Sequence, residues 1–398
     1  MALPAEPIVP ADRARALAQF REQTADDPSD LADRIRDRLH IDLTTRYAGE
    51  KISHPFGKAS GQLSCTPGQV ADDVASGLAF VVLKTVIAEA ADASRSMEAW
   101  AVDETRMRVQ HRRGSSGRLG WTVSWSGRGW PGTLEEYVRF FAKALEIGQG
   151  GGIPIVPSVK YHLPAPDEDY RLDEYRHTTE RLLDTWRAAG RPGSMPLEKD
   201  FSPTLAGDRL AEEPDTVLDW VHRVPGVLRS VGSDRLTVGI KVMNATFDDD
   251  FQLAMLASLA SADPPADYWV VFNRLFDRTR GVAYGGWDLS ERNLRVLGRA
   301  RAEGVRMPPL SATGNIGSGR VMLEYALAGC ENAQVHTFFQ VPRREYTASA
   351  GLRPACALHT LLLHPTGGLV PWLWHLAGQG VIEEVGGELR FREVIGRG

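Results

Sequence analysis

The chain of 398 residues is 43% hydrophobic and 24% charged, with a formal net charge of −5; this is the composition of an ordinary globular protein, and its slight acidity gives no reason to expect nucleic acid or an anionic membrane as a partner. The three cysteines, Cys65, Cys330 and Cys356, cannot build a disulfide framework and fit a reducing cytoplasm. The stretch Met1–Gln19 lacks the apolar centre of a signal peptide, and no run of about 18 apolar residues predicts a membrane span.

Residues 1–45 read as an N-terminal extension with helical patterning over Ala11–Arg21 and Asp30–Leu39. Eight short apolar runs follow. Pro55–Ser60 is the first predicted strand and Leu78–Lys84 the second. The second is continuously apolar, as expected of a parallel strand covered on both faces. Val86–Gly132 is a long excursion rich in Arg, Ser, Gly and Trp. A loop of that length is uncommon unless functional, and its tryptophans suit either a core or a lid over a flat ligand. A helix is predicted over Thr133–Ile147, with Glu135 and Glu136 in the first turn, where the helix dipole favours them. Strand three is Ile153–Val159, and a helix spans Glu168–Ala189. Strand four, Met195–Phe201, carries Glu198, Lys199 and Asp200. Charge inside such a strand is costly unless it faces a site.

Strand five, Leu236–Val242, carries Lys241 and lies between predicted helices Thr216–Ser230 and Asp248–Ser261. Strand six is Tyr268–Asn273; Gly285-Gly286 opens the next connection, and a helix is predicted over Leu289–Glu303. Strands seven and eight are Pro309–Thr313 and Ala333–Val335. Alternating strands and helices predict an α/β fold with a parallel sheet, and eight strands predict a closed (β/α)8 TIM barrel over 46–340. Residues 341–398 form an appended C-terminal element, with helices over Ala355–Leu363 and Leu369–Gly378 and a hairpin about Gly386-Gly387.

The last two strands carry the most informative pattern. Strand seven leads into Gly314-Asn315-Ile316-Gly317-Ser318-Gly319 and a predicted helix, Arg320–Ala328; strand eight leads into His336-Thr337. In a (β/α)8 barrel these two loops commonly hold a phosphate. Glycine lets the backbone approach it, and the N–H groups of a helix start attract the anion. Lys84 and Lys241 lie at or near the ends of strands two and five, on the side where active sites of this fold lie. A lysine there is expensive unless it meets an anion or an acceptor, although one that snorkels to the mouth needs no role. Asn273, at the end of strand six, either contacts a planar heterocycle or caps the strand. Ser202-Pro203 is, by spacing alone, a turn. His359 and His364 lack a third ligand, so no metal site is expected. Gly317-Ser318-Gly319 comes too late in the chain, without an acidic partner after the next strand, for a dinucleotide fingerprint.

From Ile41 to Phe339 these segments, in this order, resemble the dihydroorotate dehydrogenase family of FMN-dependent barrels. Ile41-Asp42-Leu43-Thr44-Thr45 is similar to the family's lead-in to its first strand. Pro55-Phe56-Gly57-Lys58-Ala59-Ser60-Gly61 is similar to the segment whose backbone touches the flavin, with His54 in the family's asparagine place. Thr313-Gly314-Asn315-Ile316 looks like the family's threonine-glycine-glycine-isoleucine motif. The resemblance implies that Ala59, Ser60, Gly61, Lys84, Lys241, Asn273, Gly285, Gly286, Gly314, Asn315, His336 and Thr337 hold FMN. It implies that Lys84 also reaches substrate. It further implies that Ser202, directly before Pro203 like the family's serine or cysteine base, removes a proton as hydride passes to the flavin.

The departures bear on the substrate. The family binds orotate through several asparagines; here Ser124, Lys199 and Thr204 stand in the near-equivalent places and Asn273 alone is clearly retained. A site that has lost buried polar partners no longer recognises the ligand that needs them. The resemblance therefore implies an oxidoreductase acting on a C–C or C–N bond of a small polar, anionic metabolite other than orotate. Ser124, Lys199, Thr204 and Asn273 are its expected substrate contacts, and a homodimer is compatible with it. The alternatives are a genuine dihydroorotate dehydrogenase, or a barrel that binds flavin or a phosphorylated metabolite without redox turnover.

Overall fold

A computed structural model describes residues 3–28, 30–98, 107–113, 119–125, 129–201, 213–277, 282–286 and 289–398. Its centre is a parallel sheet of ten short strands. In chain order they are β1 (Phe56–Lys58), β2 (Val81–Val82), β3 (Val86–Ile87), β4 (Ile155–Val156), β5 (Ser158–Lys160), β6 (Met195–Asp200), β7 (Leu236–Lys241), β8 (Tyr268–Val271), β9 (Leu310–Ala312) and β10 (Cys330–Val335). Their order in the sheet is β3-β5-β6-β7-β8-β9-β10-β1-β2-β4. β2 lies within the predicted second strand, whereas β3 falls just beyond it, on the first two residues of the predicted excursion; the predicted third strand is divided into β4 and β5. Val81 pairs with Ile155 at one end of the ladder, while Ile87 pairs with Lys160 at the other.

The helices between these strands form where the pattern predicts them. Thr133 caps helix Leu134–Gly150 through a capping box with Glu136, which satisfies two N–H groups that the first turn leaves over. Asp248 caps Asp249–Ala260 by accepting from Phe251 N at 2.9 Å. Apolar faces of these helices close over strands that are buried on both sides, β6 along its whole length. Helix Pro67–Ala75 is joined to β1 by a buried ion pair, Lys58 Nζ to Asp73 Oδ1 at 2.8 Å.

A hairpin, Thr45–Tyr47 with Glu50–Ile52, lies just before the sheet. Its Tyr47 is fully buried and stacks on Phe80, ring centroids 3.9 Å apart, with Tyr268 edge-on at 5.7 Å. The N-terminal helix Ala11–Thr24 meets the C-terminal helices at single side chains, Arg13 lying 5.8 Å from the centroid of the Trp374 ring. His359 is buried between Thr24 Oγ1, at 3.0 Å, and Thr347 Oγ1, at 2.8 Å, so it serves as a tie between the two ends of the chain.

Two expectations change. Gly285-Gly286 is not a loop: Val282–Gly286 is a strand, paired to Leu119–Trp125 with Gly285 opposite Val123 and Gly286 opposite Thr122. With Met107–Arg113 and Leu275–Asp277 it makes a four-stranded antiparallel sheet from the two long excursions. Pairing satisfies backbone groups that each excursion alone would leave unbonded. The hairpin about Gly386-Gly387 shrinks to one bridge, Val385 to Glu388. Leu389-Arg390 pair instead with Ile41-Asp42 in parallel, so the C-terminal segment spends its hydrogen bonds on the N-terminal one. No helix among the described residues is long and apolar enough to cross a membrane.

Gly319 opens helix Gly319–Leu327, immediately after the glycine-rich loop, and a Cβ there would overlap the backbone of Leu369 and Leu361. Backbone atoms yield less readily than a flexible side chain. Gly319→Ala is therefore expected to cost at least about 1–3 kcal/mol, the scale of overpacking, seen as a lower urea midpoint. An unchanged midpoint would show that this helix start is not pinned by the C-terminal helices.

Candidate functional site

A cleft opens where the C-terminal ends of the strands converge. Ala59, Ser60 and Gly61 enter it after β1, and Lys84 and Thr85 from the link between β2 and β3. Asp200 ends β6 and Lys241 ends β7, while Asn273 and Arg274 follow β8. Gly285 reaches it from the antiparallel sheet. Thr313, Gly314, Asn315 and Ile316 follow β9; Gln334, His336 and Thr337 come from β10 and the turn after it.

One end of the cleft is backbone. Gly314 has φ +92, and a Cβ on it would lie 2.7 Å from Asn293 Nδ2 and 2.9 Å from Phe272 O. Asn315 has φ +58, and its Nδ2 donates to Ser290 Oγ at 2.8 Å. Asparagine is among the few side chains that tolerate this left-handed conformation. The loop is held by its carbonyls: Asn293 Nδ2 donates to Thr313 O at 3.1 Å, and Tyr325 Oη to Gly314 O at 3.0 Å. Ser318 caps the following helix. Across from it, Gly61 leaves room for the His336 ring, which a Cβ would overlap. Burial, then Lys58, Arg274, Lys84 and Lys241, hold His336 well below the usual imidazole range, so the ring is neutral.

The other end is charged. Lys241 Nζ donates to Gln334 Oε1 at 3.0 Å and lies 4.0 Å from Glu198 Oε2. Glu198 is fully buried and accepts from both Tyr47 Oη and Gln334 Nε2. Burial raises its carboxyl, with Lys241 opposing. Asp200 accepts from Asn273 Nδ2 at 3.2 Å and Thr85 Oγ1 at 3.5 Å. Burial pushes Asp200 up, but Lys160, Lys241, Arg274 and Lys199 together outweigh it, so the net shift is downward and the group is a carboxylate. Burial, reinforced by Arg274, brings Lys84 down to about 7. Burial also lowers Arg274 to about 10, against the attraction of Asp200.

Of the residues expected to hold a cofactor, the cleft brings together Ala59, Ser60, Gly61, Lys84, Lys241, Asn273, Gly285, Gly314, Asn315, His336 and Thr337. Gly286 sits one residue further along the antiparallel strand. Ser202 and Thr204 lie outside the described residues. Ser124 is buried within the antiparallel sheet, opposite Tyr284 on one side and Arg108 on the other. Lys199 is buried with its ammonium 3.3 Å from Asp200 O and 4.4 Å above the Phe201 ring. Alternation along β6 puts Glu198 and Asp200 on one face and Lys199 on the other; the lining residue is Asp200. His54, in the family's asparagine place, has Nε2 2.7 Å from Gly77 O and accepts from Phe56 N at 3.2 Å.

Sequence reasoning passed over Arg274 and Gln334. Arg274 follows Asn273 directly, and a cation immediately after a strand end is a signal. Gln334 is a polar residue inside an apolar strand, which is costly unless bonded. Among the described residues no cluster of three or more His, Cys, Asp and Glu could hold a metal ion. No protein-family model matches this chain, and no curated protein matches it. The arrangement as it stands offers a backbone cradle for an anion and, in the same cleft, a fixed lysine and a cationic, hydrogen-bonding recess.

The left-handed backbone at Asn315 gives a direct test. Asn315→Gly is expected to leave stability within a few tenths of a kcal/mol, whereas Asn315→Val should cost about 1–2 kcal/mol, the penalty for a side chain in this region. Equal unfolding midpoints for the two variants would show that the loop does not hold this conformation in solution.

Proposed function

We propose that this chain is an FMN-dependent oxidoreductase on a closed (β/α)8 barrel, acting on a CH–CH or CH–NH group of a small anionic metabolite other than orotate. The observation that carries the reading is the convergence in one cleft of the Gly314 loop, His336-Thr337, Lys84, Lys241 and Asn273. Closure is supported by the ladder itself. Joined in sequence, β2 with β3 and β4 with β5 make two continuous segments, so the ten strands count as eight, and these two segments stand at both ends of the order.

The residues fit FMN. Gly314 and Gly61 line the cleft as bare backbone, and a Cβ on either would collide with the protein itself, with Asn293 and Phe272 O in one case and the His336 ring in the other. Ser318 opens a helix beside it, whose N–H groups favour a phosphate. Among the described residues one backbone cradle lines the cleft, and the sequence carries no dinucleotide fingerprint, which favours FMN over FAD. When bound, FMN supplies a two-electron, hydride-exchanging ring.

The chain's own groups then take distinct parts. Lys241, fixed by Gln334 and Glu198, presents an ammonium where negative charge would develop on reduction. Asn273, oriented by Asp200, offers an amide to the ring or the substrate. Ser202 is the proton acceptor in this reading. A serine hydroxyl is a weak base, so it must pass the proton onward through water or a neighbour. Lys84 and Arg274 supply positive charge for the substrate. Genuine dihydroorotate oxidation is the second reading, and rescue of a pyrimidine auxotroph would favour it over the first.

Heat-released cofactor from purified protein is expected to be FMN, and Lys241→Ala should weaken its binding or lower its potential. FAD in the supernatant, or no uptake of added FMN, would overturn the reading. Ser202→Ala should keep fold and FMN but slow substrate-dependent flavin reduction about a hundredfold or more, the scale of a lost general base, with Ser202→Cys retaining part of the rate. Single-turnover absorbance decides this, and a wild-type rate in the alanine variant removes Ser202 from the chemistry.

A further inference from the structure

We infer that Glu198 is the counter-ion of Lys241, a positioning residue that sets how much of the lysine's charge the cleft presents; the inference rests on the flavin reading only for its effect on potential. Glu198 lies on β6, where its Oε1 accepts from Tyr47 Oη and from Gln334 Nε2. Its Oε2 stands 4.0 Å from Lys241 Nζ, within reach of an ion pair but beyond that of a hydrogen bond. Gln334 bridges the two charges: its oxygen accepts from the ammonium at 3.0 Å, and its nitrogen donates to the carboxylate. All four side chains are buried, and Lys241 and Gln334 reach the cleft. A charge shut away from water is tolerable when an opposite charge meets it, so ammonium and carboxylate are held as a pair.

The pair changes charge from the carboxyl side. Burial raises Glu198, and Lys241 is the cation that opposes it. Tyr47 from the hairpin and Tyr268 from β8 also face Glu198; burial holds both phenols well above their usual range, so they stay neutral. Asp200, two residues along the same strand, is a carboxylate that repels Glu198, and its own charge is shared among Lys160, Lys241, Arg274 and Lys199. On the cleft side His336, which feels Lys241, is neutral. Glu198 is therefore the group whose proton decides whether Lys241 is offset.

Two consequences follow for the cleft. With Glu198 protonated, the ammonium acts at full strength on negative charge beside it; with Glu198 ionised, part of that field is cancelled. Negative charge developing in the cleft is thus stabilised most at low pH and less as Glu198 ionises. Lys84, which titrates at about 7 in the same cleft, adds its own pH dependence. The contribution of Glu198 is accordingly a difference between two proteins that both keep Lys84.

The test compares the native protein with Glu198→Gln, which keeps an acceptor for Tyr47 and Gln334 and removes the charge. With FMN bound, their midpoint potentials should coincide at low pH and part as the pH rises, the variant ending at least about 30 mV higher, tenfold in a two-electron equilibrium. In Lys241→Ala the same substitution should change nothing, because a buried carboxyl without its cation stays protonated. Tyr47→Phe keeps the ring on Phe80 and takes a donor from the carboxylate; it should shift the potential the same way by less, and it replaces Glu198→Gln where that variant fails to fold. Unfolding midpoints across pH give a second readout that needs no flavin. A carboxyl raised by folding contributes stability that is whole below its unfolded value, about 4.3, and is lost as the pH rises through the folded one. Relative to Glu198→Gln the native protein should therefore lose stability with rising pH. Lys241→Ala, set against the double variant, should lose more. Equal pH dependence with and without Lys241, a potential that ignores Glu198 at every pH, or a difference that persists in Lys241→Ala overturns the pairing. Coupling seen in stability in a protein that takes up no FMN keeps the counter-ion and removes the flavin reading.

Discussion

Charge buried along one face of the parallel sheet is the constraint on which the rest of the molecule depends. Glu198 and Asp200 on β6, Lys241 on β7 and Lys160 on β5 lie on neighbouring strands, and Asp200 stands in register with Lys241. None of these groups is tolerable alone in a dry interior, because an uncompensated buried charge costs several kcal/mol. Compensation requires the strand order that the ladder has. Tyr47 extends the same chain of contacts downward: its hydroxyl reaches Glu198 from the hairpin before β1, while Gln334 on β10 bridges Glu198 to Lys241. The hairpin, three strands and the cleft lysine are thus one bonded unit.

Apolar packing supplies the frame around that unit. Tyr47, Phe80 and Tyr268 fill the space under Glu198 with rings rather than water, which strengthens each electrostatic contact above them. Helices Arg353–Leu363 and Leu369–Gly378 press on the start of helix Gly319–Leu327. The C-terminal element thereby holds the glycine-rich loop from behind. The N-terminal segment is drawn in by Ile41-Asp42 pairing with Leu389-Arg390. Both ends of the chain, remote from the cleft in sequence, set the position of its backbone end.

Much was legible in the residue order. Continuous apolar runs marked strands buried on both faces, and β6 was legible despite Glu198, Lys199 and Asp200, since its flanking helices were clear. The loop Gly314–Gly319 announced a backbone cradle, and Asn315 does adopt the left-handed conformation that lets it stand beside Gly314. The antiparallel sheet was not legible. Its strands come from excursions separated by more than a hundred residues, and neither has a turn signal that names the other as partner. The Gly386-Gly387 turn does form, with Val385 and Glu388 bonded across it, but its arms do not extend, because a hairpin signal is local and Leu389-Arg390 found another partner in Ile41-Asp42.

The residues themselves determined the alternation of strands and helices, the glycine cradle and the presence of lysines at strand ends, because each follows from local periodicity or from what a backbone position permits. Tertiary structure decided which charges share a space. A strand exposes alternate residues to alternate faces, so a shift of one position exchanges Lys199 for Asp200 in the cleft. Arg274 and Lys84 line one cleft only because β8 and the β2–β3 segment end at the same side of one sheet. Charge compensation acts between neighbours in space, and the order of strands that makes those neighbours is written in no single segment of the chain.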